Sequence, residues 1–82
     1  MKIPFTQHTV LGPKAVEFET TLDVKPLLDR GVKFTCDPAA SGRRYLEARL
    51  PSGILLSLIY CNPDGMLDAV DYLVFNALAW LP

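Results

Sequence analysis

MLDAVDYLVFNALAWL, residues 66–81, is the stretch whose reading decides the fold. Its apolar residues recur at helical spacing on almost every side, so it reads as an α-helix closing the chain. Set at about 100° per residue, Met66, Leu67, Val70, Leu73, Val74, Ala77, Trp80 and Leu81 share a broad apolar face suited to packing on a sheet. The opposite arc holds Asp68, Asp71, Tyr72, Phe75, Asn76 and Ala79. Lysine, glutamate and glutamine normally fill a solvated arc. Here two aromatics three positions apart stand beside two carboxylates, with no cation among them. Leaving Phe75 in water forgoes roughly 1.5–3 kcal/mol of burial.

Outward from this helix, Asn62-Pro-Asp-Gly65 is a sharp turn signal, and Asp64 or Asn62 is placed to cap the helix. Residues 54–61, ILLSLIYC, are apolar on both sides apart from Ser57, which predicts the central strand of a sheet. Residues 44–50 alternate, with Leu46, Ala48 and Leu50 inward and Tyr45, Glu47 and Arg49 outward. Residues 32–36 do the same: Val32, Phe34 and Cys36 face in, Lys33 and Thr35 face out. Between residues 23 and 31 a short helical turn is expected, capped by Asp23, eased by Pro26 and ended by Gly31. Residues 15–22 place Val16, Phe18, Thr20 and Leu22 on one side and Glu17, Glu19 and Thr21 on the other. Gly12-Pro13-Lys14 marks a turn, and residues 3–11, with poor alternation and Pro4, read as an edge strand or extended arm. The order is β-β-short α-β-β-β-α. It predicts a two-layer α+β sandwich in which an antiparallel four- to five-stranded meander carries the C-terminal helix on one face.

At 82 residues the chain is one domain, residues 1–82, near the size at which a single core becomes marginal. Half of its residues are hydrophobic and its mean hydropathy is +0.22. Such a surplus in a small body points to self-association or a partner. The net charge of −1 is unevenly spread: residues 1–49 hold all eight basic residues against six acids, while residues 50–82 hold only Asp64, Asp68 and Asp71. A general nucleic-acid binder would be basic. Cys36 and Cys61 form no CxxC or zinc spacing and read as free thiols, which suits a reducing cytoplasm. The opening MKIPFTQHTV lacks the apolar core of a secretory signal. Asp68 and Asp71 interrupt the best apolar run well short of a bilayer span, so no membrane association is expected.

Catalytic chemistry finds little footing. His8 is the only histidine and has no nucleophile signature near it. No glycine-rich phosphate loop is present, and Asp68/Asp71 and Glu17/Glu19 suit a helix start and a solvated strand face. Neither an enzyme nor a metal or other cofactor is expected. Two binding surfaces remain. The first is the outer arc of the closing helix, with Asp68, Asp71, Tyr72, Phe75 and Ala79 as residues for a protein partner or a second copy of the chain. If instead the N-terminal arm folds over this arc, both rings are covered internally. The second surface is the outer sheet face, where Lys33, Arg43, Arg44, Tyr45 and Arg49 offer one aromatic among cations to a single-stranded nucleic acid, opposed by Glu17, Glu19 and Glu47. The first is favoured, giving a small non-enzymatic inhibitor or adaptor. Phage-encoded antagonists of host machinery are one analogy, of size and composition only.

Overall fold

The computed structural model describes residues 1–82. Its elements follow the expected order: β1 (Lys2–Thr9), β2 (Gly12–Glu19), α1 (Lys25–Asp29), β3 (Lys33–Pro38), β4 (Arg44–Arg49), β5 (Leu55–Cys61) and α2 (Met66–Trp80). One five-stranded sheet, ordered β2-β1-β3-β4-β5, carries α2 on one face, so the chain adopts the two-layer α+β arrangement. The sheet is mostly antiparallel. One join departs from a meander: β1 and β3 run parallel, with Thr6 opposite Thr35. The reason lies in residues 20–32. They are long enough to pass beneath the sheet, dropping Val24 and Leu27 into the core, and to return on the far side of β1.

That crossing reverses two expectations about strand position. β1 is neither an edge strand nor a free arm but lies inside, between β2 and β3. Pro4 is tolerated there because it borders a shallow depression with Gly31, Val32 and Lys33, before β1 meets β3 at Thr6. Farther along, the His8 backbone N–H donates to Asp37 Oδ1 at 3.1 Å, and His8 Nδ1 lies 2.8 Å from the same oxygen. Conversely β5, despite its apolar run, is not central. It forms the far edge, with Leu58 47% exposed. Its apolarity mimics a strand buried on both faces, whereas one of those faces meets water.

The hairpin between β1 and β2 turns at Val10-Leu11, ahead of the predicted Gly12-Pro13-Lys14 turn. Thr9 closes it: its hydroxyl donates to the Gly12 carbonyl at 2.8 Å and accepts the Leu11 N–H at 3.2 Å. Gly12 takes the positive φ of +112° that such a closure needs. Asp23 does not cap α1: the N-cap position falls on Val24, and the Asp23 carboxylate accepts only the Lys25 N–H two residues on, at 3.0 Å. Gly31, at φ +74°, ends the turn as expected. Neither Asn62 nor Asp64 caps α2. Residues 63–65 instead form a 3₁₀ turn that tightens directly into the helix, so no side chain reaches its first amides.

The core is one cluster. Ile3 and Phe5 of β1, Phe34 and Cys36 of β3, and Leu46 and Ala48 of β4 meet Ala69, Val70, Leu73, Val74 and Ala77 of α2. Phe5 packs edge-on against Phe18 at 4.9 Å between ring centroids and lies 5.3 Å from Phe34. Two helix assignments fail. Leu67 is 69% exposed and Trp80 73% exposed, although both belong to the predicted sheet-facing arc. They sit near the two ends of α2, where a five-stranded sheet no longer lies underneath. Ala69, outside that arc, is buried instead.

Candidate functional site

The outer arc of α2 is uncovered. Tyr72 is 65% exposed and Phe75 62% exposed, and the N-terminal segment does not cover them, because it is strand β1 within the sheet. Both rings border a shallow open depression of about 590 Å³ whose remaining walls are Asp68, Asp71, Thr21 and Leu22. One wall is therefore helix and the other is the turn that follows β2. Ala79 is exposed on the same arc but stands outside the depression. Four of the five residues chosen from the helix periodicity thus come together. Thr21 and Leu22 were missed, since only the passage of residues 20–32 beneath the sheet brings them to α2.

Asp71 has a different task from its neighbours. Its Oδ1 accepts the Thr20 hydroxyl and, at 3.1 Å, the Thr21 N–H, while Oδ2 accepts the Thr21 hydroxyl at 3.2 Å. The Thr20 hydroxyl, and next the Thr21 amide, hold the Asp71 carboxyl below its usual range. Asp71 is a clamp between α2 and the end of β2, and its oxygens are occupied within the chain. Asp68 carries no such bonds. It is the acidic residue of the first helical turn and the free carboxylate of the depression.

The second surface is only partly assembled. Tyr45 lies on the outer sheet face, as expected, and meets the Tyr60 ring at 4.9 Å between centroids. The Arg43 guanidinium sits over Tyr60, 5.2 Å from its centroid, and the Tyr60 hydroxyl donates to the Ala40 carbonyl at 3.3 Å. Arg44 does not join them. It shares the side of Leu46 and Ala48, and its guanidinium turns back to the Gly42 and Arg43 carbonyls. Arg49 is drawn to Glu47 at 3.2 Å and to the Gly53 carbonyl at 2.9 Å. Lys33 stands opposite Arg49 on the adjacent strand, away from the tyrosines. Tyr60 lies in the run whose apolarity predicts a doubly buried strand, so alternation alone does not mark it as a surface ring.

Cys36 is buried and Cys61 half-buried, and both are free. Burial raises both thiols, with Arg44 opposing the shift, so both are protonated at neutral pH. No three His, Cys, Asp or Glu side chains converge as metal ligands. No helix is long and apolar enough to cross a membrane. Compared with known proteins, the chain matches no family model, no curated protein and no solved structure.

Proposed function

We propose that the chain is a non-enzymatic protein-interaction module that docks on its partner through the outer arc of α2. The observation that carries this reading is the pair Tyr72 and Phe75, both largely exposed, side by side over a depression walled by Leu22. Burying what remains open of the two rings removes about 250 Å² of apolar surface from water, roughly 6 kcal/mol before the costs of association. Asp68 sets the partner's chemistry. With no basic residue between 50 and 82, the arc favours a segment that brings an arginine or lysine beside an apolar side chain. The cation would meet Asp68 and the face of Tyr72, and the apolar group would fill the hollow against Phe75 and Leu22.

The test is selection from a random peptide display library against the intact chain, followed by binding to a variant carrying Tyr72→Lys and Phe75→Lys. Selected peptides should share a basic residue next to an apolar one, and the variant should lose them while keeping the native circular dichroism. Peptides without a basic residue, or binding that survives in the folded variant, would reject the reading.

A second reading, a single-stranded nucleic-acid binder, draws on the Tyr45–Tyr60 pair with Arg43 above it. Under it, fluorescence titration with an oligonucleotide should show binding that weakens with salt and is lost with Arg43→Glu. Absence of binding at low salt would dispose of it.

A further inference from the structure

β5 ends the sheet with β4 on one side and no strand on the other. Alternate amides and carbonyls along Leu55–Cys61 therefore point outward without a ladder partner. Such an edge is a template for another strand, and proteins usually blunt it with charge, proline or a bulge. β2, the opposite edge, follows that rule with Pro13, Lys14, Glu17 and Glu19. β5, LLSLIYC, has no charged residue and no proline. Its single irregularity, a register shift opposite Ala48 and Arg49, is confined to the start of the strand and leaves residues 57–61 regular. The outward side chains Leu58 and Tyr60 are apolar or aromatic and exposed, and Tyr45 extends the patch inward from β4.

The geometry points to antiparallel pairing of β5 with β5 of a second copy, giving a continuous ten-stranded sheet about a two-fold axis at Leu58. The occupant follows from the strand's chemistry. A two-fold axis sets each residue against its own kind, so a charged strand meets like charge, whereas β5 brings none. Centred on Leu58, the pairing puts the two Leu58 side chains opposite each other, with each Tyr60 within diagonal reach of the other Leu58. Growth stops at two copies, because the strands left at the outer ends are the charged β2 edges. One strand pair makes a small interface, so the dimer is weak and reversible. This surface is separate from the α2 depression and does not depend on its function.

Sedimentation velocity from about 1 µM to about 1 mM spans the range of weak association. The wild-type chain should shift from one to two copies across it. Leu58→Lys, which alters an exposed side chain, should stay a single copy at every concentration. The Tyr72→Lys/Phe75→Lys variant should dimerise as the wild type does. Amide exchange supplies a readout that needs no substitution: outward amides of β5 should gain protection as concentration rises, while those of β2 should not. A wild-type chain that stays monomeric throughout would overturn the proposal. So would a dimer that survives Leu58→Lys but is lost in the α2 variant, which would move the contact to the helix.

Discussion

Removing the Asp71 carboxylate should loosen α2 from the end of β2 and make the loss depend on pH. In Asp71→Ala the Thr20 hydroxyl, whose residue is only 3% exposed, loses its acceptor. The hydroxyl oxygen still accepts the Leu22 N–H at 3.2 Å, but a buried donor left without an acceptor costs about 1–3 kcal/mol. The Thr21 amide and hydroxyl lie at the surface, where water replaces the carboxylate, and add about 0.5 kcal/mol each. The total of about 2–4 kcal/mol corresponds to a fall in Tm of roughly 10–30 °C for a domain of this size. Asp71→Asn keeps an acceptor oxygen but loses the charge, so about 1 kcal/mol is expected.

The pH dependence has a definite sign. Asp71 is held below its ordinary value of 3.8 in the folded chain, so its charged form stabilises the fold above that value. The contribution is lost as pH falls from there through the folded value. Urea unfolding at neutral pH should therefore separate wild type from Asp71→Asn, and the gap should close at acid pH below 3.8. A double-mutant cycle with Thr20→Val should return a coupling of about 0.5–3 kcal/mol. Additive single effects, or a gap that stays constant down the acid limb, would refute the clamp.

Other substitutions probe the rest of the framework. Gly31→Ala places a Cβ 2.9 Å from Pro51 Cγ at a backbone φ of +74°, so denaturant unfolding should show a loss of about 1–2 kcal/mol. Ser57→Ala should stabilise by about 0.5–1 kcal/mol in the same assay, because the Ser57 hydroxyl is buried in β5 without a hydrogen-bond partner. Leu73→Ala, at a fully buried site, should cost about 2–5 kcal/mol, whereas Trp80→Ser should move stability by no more than about 0.5 kcal/mol. Acrylamide should quench Trp80 fluorescence freely in the native chain; a shielded tryptophan would contradict its exposed position.

How far the sequence carried the fold depended on which interactions were local. Element order and the inward residues of β3 and β4 followed from alternation alone, since Phe34, Cys36, Leu46 and Ala48 are all buried. The outer arc of α2 likewise followed from its period. Strand order did not, because nothing in residues 20–32 says whether the chain returns beside β2 or crosses to the far side of β1. An apolar strand also looks the same whether its second face meets protein or water, so the composition of β5 predicts a central strand although it lies at the edge. The helix ends failed for a related reason: periodicity assigns Leu67 and Trp80 to a side but cannot say how far the sheet extends beneath them. Asp71 resembled a surface carboxylate until tertiary structure brought Thr20 and Thr21 to it.

The parallel contact between β1 and β3 also bears on how the chain assembles. β1 with β2 closes over a two-residue turn, and β3, β4 and β5 follow one another as neighbours, so each group can fold from short-range contacts. Joining them requires the intervening residues 20–32 to swing across and close a longer loop. During synthesis the β1–β2 hairpin therefore emerges before β3, with one flank of β1 bare until β3 leaves the ribosome. Anything that delays β3 prolongs a half-built sheet whose open flank is free to pair with another nascent chain.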